Sequence, residues 1–115
     1  MIRVRLAYLS YPFSDDPEAR TRQAEIVAKE IMNHEKDIFV IIPHRTFDWY
    51  EDDITCLLAE LDFIKRKIDL LIIGYQPPTA GMGWEIANAI DFGVPVFEIA
   101  TDDKNGVAGL KVWRE

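Results

Sequence analysis

Residues 67–100, KIDLLIIGYQPPTAGMGWEIANAIDFGVPVFEIA, pass from one short apolar strand to another through a loop and a helix. Ile68 to Ile73 is apolar on both faces, as a central strand of a parallel sheet must be when helices cover it from above and below. The next stretch, GYQPPTAGMG, is punctuated by Pro77, Pro78 and glycines, which favour neither helix nor strand. A short helix is expected from Trp84 to Phe92, ending at Gly93, and Pro95 introduces the strand VPVFEIA. Strand, crossover helix and strand of this length form a βαβ unit, so the sheet is parallel at this point.

The same alternation extends towards the amino terminus. Helix two runs from about Asp52 to Lys67, with Ile54, Leu57, Leu58, Leu61 and Ile64 on one face. Acidic residues begin it and Lys65, Arg66 and Lys67 end it, which suits the helix dipole. Before it lies PHRTFDWYEDD, a loop with aromatic content, and before that the strand Asp37 to Ile42, closed by Pro43. Helix one is N-capped by Asp16, has Pro17 as its first residue, reaches about His34 and turns Ala24, Val27, Ala28 and Ile31 inward. The first strand spans about Ile2 to Leu9, with Arg3 and Arg5 at a solvated start. The last fifteen residues carry the turn signal DDKNG and a short apolar stretch, compatible with a fifth strand or with an arm reaching another subunit. These elements add up to a doubly wound, flavodoxin-like three-layer α/β/α domain with a sheet of four or five mainly parallel strands.

At 115 residues, 49% of them apolar, the chain is one domain with enough material for a core. A net charge of −7 repels a polyphosphate backbone and sets nucleic acid polymers aside. The lone Cys56 allows no intrachain disulfide, which points to a reducing, cytoplasmic setting. The start MIRVRLAYLS lacks a signal peptide's apolar run, and no stretch approaches the ~20 apolar residues that span a bilayer. No His, Cys or carboxylate pair has metal-ligand spacing, so neither a metal nor a cofactor is expected.

Ligands of doubly wound sheets bind beyond the carboxyl ends of the strands, where the winding reverses. The densest chemistry there is TAGMGWE, 79–85. Gly81 and Gly83 permit close backbone approach, and a helix start offers free amides to an anion. Glu85 has two readings: a carboxylate complementing the helix dipole, or a nucleophile held by the hydroxyl of Tyr8 at the end of strand one. Tyr8 itself reads equally well as a core aromatic. His44 after Pro43 is either a pocket group or an exposed loop histidine; Trp49, with Phe47 and Tyr50, either stacks on a nucleobase or packs on helix two. Trp84 would shield Glu85 from water and raise its pKa, and Asp69 reads as structural.

YLSYP after strand one, PH after strand two, the aspartate-bearing helix ending in KIDLLII, and TAGMGWEIANAIDFGVPVF together resemble the nucleoside 2-deoxyribosyltransferase superfamily over residues 2 to 99. Within it, the glycine-rich stretch is most similar to the 2'-deoxynucleoside 5'-monophosphate N-glycosidases, and the layout also resembles a group of small uncharacterised relatives. The resemblance implies a single domain of that type over 1–115, hydrolysing or transferring an N-glycosidic bond of a small-molecule nucleoside or nucleotide. It makes Glu85 the nucleophile at the anomeric carbon, Tyr8 its hydrogen-bond partner and Asp62 the nearest match to the residue that protonates the leaving base, with Asp52 or Asp53 as substitutes. Thr79, Gly81 and Gly83 would hold the 5' end of the sugar, and Ser10, Tyr11, Pro43, His44 and Trp49 would complete the substrate pocket. It also implies a homodimer or larger assembly, with loop 47–50, helix two and the tail as candidate contacts.

Two departures from the family pattern bear on substrate. Tyr11 stands where relatives have glycine, and Ser14, Asp15 and Asp16 stand where phosphate-binding relatives have glycine and arginine. The bulk of Tyr11 would narrow the phosphate end of the pocket or supply a new contact, and the acids point to a neutral nucleoside or to a cation supplied by a partner. The rival from another class is a non-catalytic module that binds or senses a nucleotide in the same crevice and needs no nucleophile.

Overall fold

The computed structural model describes residues 3–13, 15–43, 53–104 and 106–114. In chain order the elements are β1 (Arg5–Ser10), α1 (Pro17–His34), β2 (Ile38–Ile41), α2 (Asp53–Arg66), β3 (Leu70–Ile73), α3 (Ala80–Asp91), β4 (Val96–Thr101) and β5 (Val107–Val112). The sheet order is β2-β1-β3-β4-β5. The first four strands are parallel, and β5 returns antiparallel along β4. The tail is thus a fifth strand, and the doubly wound architecture expected from the sequence is present. The winding reverses between β1 and β3, which pair directly with Ser10 opposite Ile73.

Strand alternation sorts the core into two layers. Ala7 and Leu9 of β1 join Ile38, Val40, Leu70 and Ile72 beneath the Ala24, Ala28 and Ile31 stripe of α1. Tyr8, Leu71 and Ile73 point the other way and pack with Ile64 of α2 and Met82, Ile86 and Ala89 of α3. Of the apolar stripe expected for helix two, Ile64 is fully buried; the other four side chains fall outside those described. The solvated start of β1 is an ion-paired edge. Arg5 meets Asp37 at 2.9 Å, while Asp69 accepts the Leu6 amide at 2.8 Å and Arg3 at 3.0 Å, so Asp69 is structural, as the sequence suggested. No helix among the described residues is long and apolar enough to cross a membrane.

Two boundaries differ in a way that matters for the site. β1 extends through Ser10, one residue beyond the expected end. More important, α3 begins at Ala80 instead of Trp84, so the glycine-rich stretch belongs to the helix. Thr79 caps it, its side-chain oxygen accepting the Met82 amide, and Met82 anchors the first turn in the core. Gly81 and Gly83 are tolerated because buried Met82 and the cap hold the turn, and a Cβ at either would meet nothing within 4 Å. At the far end, Gly93 takes φ +74°, the left-handed conformation that terminates helices.

Candidate functional site

Tyr8 and Ser10 are two residues apart on β1 and therefore share one face. That face looks towards α3, where Glu85 sits in the second turn with its side chain inward. Its residue is only 8% exposed. The Tyr8 hydroxyl donates to Glu85 Oε2, and the Ser10 hydroxyl donates to Oε1 at 2.7 Å. Both carboxylate oxygens are thus gripped from a single strand. Ser10, expected at the substrate, holds the Glu85 carboxylate.

Burial and these two bonds pull the carboxylate in opposite directions. Desolvation pushes the Glu85 pKa up, the Tyr8 and Ser10 hydrogen bonds pull it down, and the charge of Glu60 adds a smaller upward push. The balance lies at about 7, against an ordinary value of 4.5. A carboxylate so placed is held in one orientation and is part-ionised at neutral pH. Because Glu85 lies beyond the first turn, complementing the free amides of the helix start does not account for its position. Trp84 lies a helical step of about 100° away from Glu85 on α3 and is 37% exposed.

The other expected residues fall into distinct groups. Thr79 is exposed at the head of α3, and its cap leaves the Ala80 and Gly81 amides as donors that the helix itself does not use. Gly81 and Gly83 are exposed beside them. Tyr11 is half-buried next to Ser10, its ring edge-on to Tyr75 with centroids 5.8 Å apart. Pro43 is buried at the end of β2, while His44 and Trp49 lie outside the described residues. Asp62 is not brought to Glu85. Its carboxylate takes the Arg66 guanidinium at 2.7 Å, one turn away on the helix surface, with both side chains more than 60% exposed. The acidic residue of α2 whose charge bears on Glu85, raising its pKa, is Glu60, which the sequence reading missed. Helix phase could have found it, since Glu60 lies one turn before buried Ile64, whereas Asp62 lies on the opposite side.

Gly74 closes the floor between the two strand ends. Its amide donates to the Ser10 carbonyl at 2.9 Å, and a Cβ there would stand 2.7 Å from Leu9 Cδ1 and 3.3 Å from that carbonyl oxygen. A larger residue there would have to push the Leu9 and Tyr11 side chains aside where β3 leaves the sheet beside β1. The apolar groove of about 470 Å³ lined by Ile90, Val96 and Trp113 is separate from these residues and carries no charged side chain.

No protein-family model matches the chain, and no curated protein matches it significantly. Solved structures do. A conserved protein from Enterococcus faecalis V583 is 25% identical, with a TM-score of 0.67 over 91% of this chain and 69% of that one. A 2-desoxiribosyltransferase from Leishmania mexicana is 18% identical, with a TM-score of 0.62 over 90% of this chain and 77% of that one. A 2-deoxyribosyltransferase from Bacillus psychrosaccharolyticus is 22% identical, with a TM-score of 0.56 over 81% and 70%. The expected kinship in architecture is therefore present: the chain has a nucleoside 2-deoxyribosyltransferase-like fold.

Proposed function

We propose that this chain breaks and remakes the N-glycosidic bond of a nucleoside or nucleotide, with Glu85 as the nucleophile. The observation that carries the reading is the buried Glu85 carboxylate held by Tyr8 and Ser10 at the switch point of the sheet. In the first half-reaction a Glu85 oxygen bonds to the anomeric carbon as the carbon–nitrogen bond to the base breaks. The departing base takes a proton from a carboxylic acid of α2. In the second, an acceptor attacks the same carbon, gives its proton to that carboxylate and releases Glu85; water as acceptor gives hydrolysis and a second base gives transfer.

Tyr8 and Ser10 orient the attacking oxygen and stabilise the ionised carboxylate that attack requires. We assign the acid role to Glu60 in place of Asp62, because the Glu60 charge acts on Glu85 while Asp62 is engaged with Arg66 on the exposed helix surface. Thr79 and the amides of Ala80 and Gly81 would receive the 5' end of the sugar. Tyr11, Pro43, His44 and Trp49, together with a second copy of the chain, would enclose the rest. The deoxyribosyltransferase fold of the solved structures supports this reading.

Incubation with a panel of deoxynucleosides and their 5'-monophosphates, followed by chromatography for free base, tests it. Base release that disappears in Glu85→Gln is expected. Saturable nucleotide binding without release would favour the sensing module instead, and release unaltered in Glu85→Gln would refute the assignment.

A further inference from the structure

Glu85 is held by two hydroxyls of different kinds, and the difference divides their work. Tyr8 is a phenol on Oε2, with its ring fully buried among Ile64, Leu71, Ile73 and Met82. Its oxygen can move only if that packed ring moves. Ser10 is an alcohol on Oε1 at 2.7 Å, and its oxygen turns about a single side-chain bond. A phenol is also the more acidic donor, and so the more tenacious partner of a carboxylate.

Position separates them as well. Ser10 is the last residue of β1, two positions beyond Tyr8 and opposite Ile73 at the end of β3, at the margin of the sheet where ligands of doubly wound folds approach. An oxygen that attacks carbon must free a lone pair towards that carbon, and it accepts a hydrogen bond less well once it carries the sugar. The opposite oxygen becomes the carbonyl of the ester and keeps its capacity to accept. One of the two bonds therefore has to yield, and the Ser10 bond is the one able to.

We infer that Ser10 is a positioning residue that marks Oε1 as the attacking atom: its hydroxyl orients that oxygen in the resting site and turns aside as the bond to the sugar forms, while Tyr8 stays on Oε2 throughout. The inference rests on the N-glycosidic reading and deepens it. An Oε1 electron pair forms the bond to the anomeric carbon, the carbon–nitrogen pair leaves with the base, which takes its proton from α2, and the Ser10 proton stays on its own oxygen. When the acceptor breaks the ester, the pair returns to Oε1 and the Ser10 hydroxyl turns back to meet it.

The test compares Ser10→Ala, Ser10→Thr and Tyr8→Phe with wild type. The Glu85 carboxyl carbon of the isotope-labelled full chain is titrated by NMR without substrate. Loss of one charge-assisted hydrogen bond should move its midpoint, about 7 in wild type, up by about one pH unit in Ser10→Ala, and Ser10→Thr should restore it. Glu60, whose charge also acts on Glu85, is the same in every variant. Because the Ser10 bond yields on attack, kcat/KM for base release by Ser10→Ala should fall about fivefold at neutral pH, in step with the ionised fraction of Glu85, and recover wild-type values above about pH 9. Tyr8→Phe should stay slower than wild type at every pH. A crystal structure of the ester formed from a nucleoside with fluorine beside the anomeric carbon, which slows the breakdown of that ester, should show Tyr8 on the carbonyl oxygen and the Ser10 hydroxyl turned away. A Glu85 midpoint unmoved in Ser10→Ala, a Ser10→Ala rate that stays low in alkali, or an ester formed through the oxygen that Tyr8 holds overturns the inference and leaves Glu85 chemistry standing. No base release from any substrate by the wild type sinks the glycosidic reading itself, and the choice of attacking atom with it.

Discussion

Replacing Glu85 by glutamine should stabilise the protein at alkaline pH and not in acid. The buried carboxyl has its pKa raised from 4.5 to about 7, so the native state keeps a proton that the unfolded chain releases across that window. A raised folded-state pKa means full stability below about pH 4.5, progressive loss as pH climbs towards 7, and a constant deficit above. At about 1.4 kcal/mol per pKa unit, the deficit amounts to about 3 kcal/mol. Glutamine keeps the shape and carries no titrating group, so the stability of Glu85→Gln relative to wild type should rise by about 3 kcal/mol between pH 4 and pH 8. In a domain of this size that is a difference of roughly 10 °C in melting temperature. Other carboxylates that titrate on folding, such as Asp37 beside Arg5, are present in both proteins and cancel in the difference. Urea or thermal unfolding of both proteins across that pH range provides the measurement. A difference independent of pH would mean that Glu85 is not held desolvated, and the argument for a stored, reactive carboxylate would fail. Stability given up at a site in this way is common where activity needs it.

Further outcomes follow from individual contacts. Tyr8→Phe removes a hydrogen bond that lowers the Glu85 pKa, so the rise of kcat/KM with pH, expected near 7, should move to higher pH with a loss of roughly 10- to 100-fold at neutral pH. Asp62→Asn breaks only an exposed pair one helical turn apart and should change stability by less than about 0.5 kcal/mol and base release little. Glu60→Gln should slow release of poor leaving bases far more than good ones; equal slowing of all of them would remove Glu60 from the acid role. Gly74→Ala forces a Cβ to 2.7 Å from Leu9 and should cost on the order of 1–3 kcal/mol by urea unfolding, with β1 and the Ser10 contact displaced.

Most of the architecture was legible because both periodicities are strong. IDLLII could only be a central parallel strand, and the Asp16–Pro17 pair marks the start of α1 at the position where it begins. The start of α3 was hidden because Pro77, Pro78 and two glycines look like loop, and only the Thr79 cap and buried Met82 show that the helix begins among them. The tail could not be placed from its own sequence, because β5 takes its meaning from pairing with β4, Phe97 opposite Val112. At the site, Tyr8 and Glu85 are 77 positions apart and were paired through the topology. Ser10 could have been assigned to the same carboxylate by strand alternation. The choice between Asp62 and Glu60 turned on helix phase, which Ile64 fixes once its burial is known.

The central claim is that Glu85 forms a bond to the sugar. The most direct test is intact-protein mass spectrometry of the full chain quenched in acid during turnover of a deoxynucleoside, with peptide mapping of any adduct. The account predicts a mass gain of one 2-deoxyribosyl group, located on Glu85, dependent on substrate and absent from Glu85→Gln. Base release with no adduct on Glu85, or an adduct on another residue, would contradict it.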